Sequence, residues 1–210
     1  CRKVGKRSCA DLPGNHEILT WRTKSLSAGD MATFGMLLGT GRLPRLRVLN
    51  LGNNFLGDAG MQSLCEGLRQ GATPRLHHLE LYHNSVGPVG AEALAAAIGR
   101  GSLPKLNQLI LYNNSLGDRG VAALAASLKE APALQQLALA ECGISDEGVA
   151  SLVAGIGNTH LGALQTLQLQ RNELTEESCA TLVTALDAGA MPKVDAVHLH
   201  HNVMNNRALQ

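Results

Sequence analysis

Apolar residues return along this chain in one fixed frame. Counting from Leu46 as position 0, Leu49, Leu51 and Leu56 follow at +3, +5 and +10, with Asn54 at +8. The frame repeats from Leu76 (Leu79, Leu81, Asn84, Val86) and from Leu106 (Leu109, Leu111, Asn114, Leu116). It repeats again from Leu134 (Leu137, Leu139, Cys142, Ile144), from Leu164 (Leu167, Leu169, Asn172, Leu174) and from Val194 (Val197, Leu199, Asn202, Met204). Successive starts lie 30, 30, 28, 30 and 30 residues apart. The alternation in each LxxLxL predicts a short strand with its leucines turned inward.

The second half of each copy has a different period. Met61, Leu64 and Leu68 stand at +15, +18 and +22, as do Ala91, Leu94, Ile98 and Val121, Leu124, Leu128. Val149, Leu152, Ile156 and Cys179, Leu182, Leu186 continue the series, which predicts a helix with one face inward. Asp58, Asp118 and Asp146 at +12 are expected to cap the helix that each begins. Gly71, Gly99, Gly101, Gly155, Gly157 and Gly189 mark helix ends, with Pro74, Pro104, Pro132 and Pro192 beyond. Run backwards, the frame exposes a degenerate copy from His16, with Leu19, Trp21, Leu26, Met31, Phe34 and Leu38, and Lys24 in place of the Asn. Trp21 fills the +5 slot and is read as core.

The motif LxxLxLxxN/CxL, with a helix and a period of 28 to 30, resembles the ribonuclease-inhibitor-like class of leucine-rich repeats over residues 16 to 210. The resemblance implies an α/β solenoid, a right-handed horseshoe with a parallel concave sheet and convex helices. It also implies that Asn54, Asn84, Asn114, Cys142, Asn172 and Asn202 form a structural ladder serving backbone groups in the turns. A buried turn needs such partners, and losing one costs about 1 to 3 kcal/mol. The expected organisation is an N-terminal basic linker over 1–15 and a repeat domain over 16–210. Full repeats start at 46, 76, 106, 134 and 164, and a partial one at 194. With the last strand so near Gln210, further repeats or an exposed apolar edge are expected there.

Composition narrows the function classes. Aromatics are 2% of the 210 residues, so the core is aliphatic, and a formal net charge of +1 argues against a nucleic-acid partner. No apolar run reaches the roughly 20 residues of a membrane helix. The five cysteines (1, 9, 65, 142 and 179) show no CxxC spacing, which favours a reducing, cytoplasmic location over a disulfide framework. Cys142 is read as a ladder substitute, not a nucleophile. GTGR at 39–42 is a helix-ending turn, no phosphate loop is present, and neither an enzyme nor a cofactor is expected.

Strand residues at +2, +4 and +6, with +7 at the rim, are expected on the concave face, in rows about 4.8 Å apart. The candidate partner-binding residues are His78, Glu80, Tyr82 and His83; Gln108 and Tyr112; Gln136; Gln168, Gln170 and Arg171; and His198 and His200. Tyr82 and Tyr112, both at +6, are expected to sit side by side as a binding hot spot. On this reading their joint replacement by Ala weakens binding and leaves stability nearly unchanged. His198, His200 and His201 lack further ligands nearby and are read as facing solvent or a partner, with no metal. Arg45, Arg75, Lys105 and Lys193, each just before a repeat start, are read as answering helix C-terminal dipoles. The cluster Arg2, Lys3, Lys6 and Arg7 is read as linker.

The expected function is a scaffold that holds another protein on the concave face. Two other readings come from likeness of repeat class alone: a GTPase-activating protein for a Ran-type GTPase, whose family carries an acidic tail that this chain lacks, and the sensor repeats of a nucleotide-binding immune receptor.

Overall fold

The computed structural model describes residues 15–157 and 161–203. The basic cluster Arg2 to Arg7 and Met204 lie outside the described residues. The strands β1 (Ile18–Thr20), β2 (Val48–Asn50), β3 (His78–Glu80), β4 (Gln108–Ile110), β5 (Gln136–Ala138), β6 (Thr166–Gln168) and β7 (Ala196–His198) form one parallel sheet in chain order. Between them run α1 (Ala28–Gly39), α2 (Gly57–Gly67), α3 (Pro88–Gly99), α4 (Gly117–Ser127), α5 (Asp146–Ile156) and α6 (Glu176–Asp187). The architecture is the expected α/β solenoid.

Pairing joins equal frame positions throughout: Leu19 to Leu49 to Leu79 to Leu109 to Leu137 to Leu167 to Val197. The leucines at 0, +3, +5 and +10 from repeat 46 through repeat 164 are buried, as are the +15, +18 and +22 residues of α2, α3, α4 and α5. Trp21 is half-buried on this core, its ring 4.7 Å from that of Phe34. At α6 the expectation fails. Leu186 is 37% exposed and Cys179 is half-buried, because among the described residues no helix packs on the far side of α6.

Each strand spans only +2 to +4, shorter than its LxxLxL signature. The +7 residue of every copy takes a left-handed conformation: Thr23, Asn53, His83, Asn113, Glu141, Arg171 and His201 all have φ between 51° and 59°. That kink, three residues past the strand, turns each copy's +7 residue onto the rim.

The ladder is present, and it comes in two forms. After β1, Asn54 Oδ1 accepts from the Lys24 and Leu26 amides of the preceding copy, while its Nδ2 donates to the Trp21 and Leu51 carbonyls. Asn114 likewise serves the Asn84 and Val86 amides, Asn172 those of Cys142 and Ile144, and Asn202 those of Asn172 and Leu174. The loops of repeats 46 and 106 differ. There Gly57 (φ 56°) and Gly117 (φ 59°) enter the left-handed region that glycine tolerates, and donate to the backbone carbonyls of Asn84 and Cys142. Asn84 Nδ2 still bonds the Leu51 and Leu81 carbonyls, but among the described residues its Oδ1 has no partner. Cys142 stands at the matching place, its thiol directed at the Leu111 and Ala140 carbonyls.

The +12 aspartates do not cap the helices they begin. Asp58 Oδ1 instead accepts from the Gly87 and Gly90 amides at the start of α3. Asp118 accepts from the Ser145 amide and hydroxyl at α5, and Asp146 from Thr175 and Ser178 at α6. Each stands at the first or second position of its own helix, past the cap position, and its carboxylate reaches the first turn of the adjacent helix instead. The own-helix caps are Ser27, within a Ser27–Asp30 capping box, Ser145 and Thr175. The basic row also departs from expectation. Arg45, Arg75, Lys105 and Lys193 fall beyond the helix ends, and none of α1 to α6 carries a basic residue in its last turn. Arg69 and Arg100 do that work across copies, donating to the Gly39 and Cys65 carbonyls.

Candidate functional site

The concave rows follow from the strand register. At +4 they run Asn50, Glu80, Ile110, Ala138, Gln168, His198, and at +6 Gly52, Tyr82, Tyr112, Ala140, Gln170, His200. Of the expected contact residues, His78, Glu80, Gln108, Tyr112, Gln136, Gln168, Gln170 and His198 are half-buried, and His83, Arg171 and His200 are exposed.

Tyr82 departs from its expected role. It is 8% exposed, and its ring lies on Gly52, where a Cβ would come within 2.2 Å of the ring. Tyr112 stacks on its other face with centroids 4.7 Å apart and planes 6° from parallel. His83 stands edge-on to both rings. The tyrosines are therefore side by side as expected, but Tyr82 is a packed base and Tyr112 carries the accessible surface. Tyr82→Ala would open a hole over Gly52, so the expectation of nearly unchanged stability does not hold.

The stack leaves one side of Tyr112 directed toward β5, where the row neighbours are Ala138 (0% exposed) and Ala140 (5% exposed). These small side chains make a floor between Tyr112 and the Gln168 and Gln170 wall. The floor was legible only as two alanines in sequence; the signal was the order of sizes at +6: none, large, large, small, medium.

Two carboxylates stand near the tyrosine stack, one on either side of β4. Glu80 Oε2 accepts from Asn50 Nδ2 at 2.5 Å, and no cation pairs with it among the described residues. Glu141 accepts from Asn113 Nδ2 at 2.6 Å and pairs with Arg171 at 3.2 Å. Burial first, then the neighbouring Tyr82, Glu80 and Glu141, push the Tyr112 phenol above its ordinary pKa. Along the rim a groove of about 520 Å³ is lined by residues including Phe55, His83, Ser85, Asn113, Ser115 and Glu141. Phe55, 70% exposed, was not among the expected contact residues.

The C-terminal histidines cluster as rings, His198 to His200 at 6.3 Å and His200 to His201 at 5.1 Å. Among the described residues no group of three or more His, Cys, Asp or Glu is placed to hold a metal ion. No helix there is long and apolar enough to cross a membrane. Cys65 and Cys142 are buried thiols, and burial pushes both up to about 12.

A two-residue-periodic strand, a buried Asn or Cys at +8 and a returning helix define a repeat, and comparison gives that repeat its family. Residues 43–65, 74–95, 102–125 and 132–153 match the family model described as a leucine-rich repeat. Those four stretches are leucine-rich repeats, and the structure carries the same strand–loop–helix unit onto either side of them. No match is found among curated proteins. One similar solved structure is the Arabidopsis receptor kinase HAESA in complex with the peptide hormone IDA and the co-receptor SERK1. It is 18% identical, with a TM-score of 0.47, over 92% of this chain and 35% of that one. This chain thus spans 35% of the length of that receptor chain.

Proposed function

We propose that this chain holds another protein on its concave sheet. The observation that carries the reading is the face itself: a continuous run of half-buried polar side chains interrupted by one aromatic stack and one alanine floor. The parallel ladder holds these groups in place before any partner arrives, which lowers the ordering cost of binding. Repeat spacings of 28 and 30, with helices returning behind the sheet, support the ribonuclease-inhibitor-like subclass. The buried thiols of Cys65 and Cys142 fit a reducing, cytoplasmic setting.

The test compares the two faces. Proteins captured from the native cell by the chain are identified and rebound to two variants. Gln168→Arg fills the concave face, and Ala96→Arg alters an exposed position on α3. Loss of binding with Gln168→Arg and retention with Ala96→Arg is the expected result. The reverse pattern overturns it.

A further inference from the structure

The aromatic residues of the chain are not equivalent. Trp21 packs on Phe34 and Tyr82 on Tyr112, whereas Phe55 has no ring partner among the described residues. It is 70% exposed on the loop between β2 and α2. At the same frame position, +9, three other copies carry serine (Ser25, Ser85 and Ser115), so the fold does not require a ring there. A single exposed apolar side chain is ordinary on a protein surface. This one differs because it borders the rim groove of about 520 Å³.

The groove crosses four copies, those that start at 46, 76, 106 and 134. Its lining comes from +7 residues (Asn53, His83, Asn113 and Glu141) and from the +9 residues Phe55, Ser85 and Ser115. The buried ladder residues Asn54 and Asn114 complete it. Four neighbouring strands span three inter-strand spacings, about 14 Å, which is the length of about four extended residues. His83 joins the groove to the concave face, because its ring stands edge-on to both Tyr82 and Tyr112.

The chemistry of the lining selects against ions. Glu141 is its one carboxylate, and both oxygens are engaged, Oε2 by Asn113 Nδ2 and Oε1 by Arg171. No lysine or arginine lines the groove. An anion would therefore meet a carboxylate, and a cation would have to displace Arg171. Neither would find a free counter-charge to offset its lost hydration. Neutral hydrogen-bonding groups, by contrast, stand open. The side chains of Asn53, Ser85 and Ser115 bond to no other described residue, and Asn113 Oδ1 accepts from none. Amides and hydroxyls both donate and accept, which matches the N–H and C=O groups of a polypeptide backbone.

We propose that the rim groove receives an extended, uncharged segment of the bound protein, its backbone on Asn53, Ser85, Asn113 and Ser115 and one bulky apolar side chain on the Phe55 ring. This rests on the reading that the concave face holds a protein, and it carries part of that contact over the rim. Covering Phe55 takes an aromatic face out of water, and aromatic side chains are enriched in the buried centres of interfaces. The ladder beneath is already hydrogen-bonded in the free protein, so the groove needs little ordering when it fills.

The first experiment uses the whole chain and defined probes. Acetylated, amidated Gly-Leu-Gly is titrated into the isotope-labelled protein and followed by amide NMR shifts, beside Gly-Glu-Gly and Gly-Lys-Gly blocked in the same way. The expected result is shifts confined to residues 53–55, 83–85 and 113–115, several-fold larger for the leucine peptide and lost in Phe55→Ser. Equal shifts with either charged peptide, or none at these amides, overturn the proposal. The second experiment uses a captured partner. Phe55→Ser should weaken it about ten-fold or more, the effect of losing an aromatic anchor, and Ser115→Arg, which fills the groove, should weaken it further. The melting temperature of Phe55→Ser should match that of the native chain, since serine occupies this position in three other copies. If Gln168→Arg abolishes binding while Phe55→Ser and Ser115→Arg do not weaken it, the groove proposal is wrong and the protein-holding face stands. If Gln168→Arg leaves binding intact, the concave-face reading itself falls.

Discussion

The loops of repeats 46 and 106 can be set against those of repeats 16, 76, 134 and 164. In the second group the loop amides are collected by the Asn side chain of the following copy. In the first, a left-handed glycine redirects one amide to that copy's backbone instead. The following residue then needs to be only a donor. That is why Asn84 keeps an idle Oδ1, and why a thiol suffices at Cys142. The difference shows that the tolerance of a ladder position is set by the loop before it and not by the residue's own repeat.

The comparison can be broken at several levels. Both loop types sit on one leucine core, so Leu81→Ala and Leu111→Ala should each cost about 2 to 5 kcal/mol in urea unfolding. Markedly unequal costs would mean that loop type reaches the core. Asn114→Ala strips two amides and two carbonyls of partners and should cost about 2 to 4 kcal/mol, whereas Asn84→Ala, which loses only donations, should cost about half as much. Equal losses at the two asparagines would erase the distinction. Gly117→Ala, at φ 59°, should cost about 1 to 2 kcal/mol through left-handed strain, read from thermal melting.

The caps give the smallest effects. Asp118→Ala should destabilise by about 1 kcal/mol, with faster amide exchange at the start of α5 and not of α4. Exchange rising in α4 instead would restore the own-helix assignment. Asp146 adds a pH signature. Burial acts to raise its pKa, but the bonds from Ser178 and Thr175 prevail and hold it below the ordinary value. A lowered folded-state pKa means a contribution that is full above the unfolded value, about pH 3.9, and lost as pH falls through the folded one. The melting difference between the native chain and Asp146→Ala should therefore be steady at neutral pH and shrink below about pH 4.

Much of this fold was legible because a period of about 30 states the same geometry repeatedly. Leu49, Asn54 and Leu64 each had counterparts that confirmed their roles. What escaped was whatever passes between copies. Asp58 reads locally as the cap of α2, because a sequence shows its own helix and not the neighbour pressed against it. The recurring Gly-Asp pairs at 57–58 and 117–118 held the clue to the second loop type. The candidate face was partly legible. Equal frame positions fall in rows across the sheet, but Tyr82's burial depends on Gly52, thirty residues earlier, and no local pattern reports that contact.

The inter-copy bonds also say how such a chain can be lengthened. Asp58 reaches forward to the next helix, while at the following junction Asn114 reaches back to the preceding loop, so neighbouring junctions are joined in different ways. Cutting out repeat 106 alone would set the loop of repeat 76, whose amides now go to Asn114 Oδ1, against Cys142, whose thiol is directed at carbonyls and takes up no amide. Cutting out repeats 76 and 106 together sets the glycine loop of repeat 46 against Cys142, and the joint closes as that of repeat 106 does now. The smallest piece that can be removed before Cys142 is therefore the pair, whereas a seam that ends on an asparagine accepts either loop.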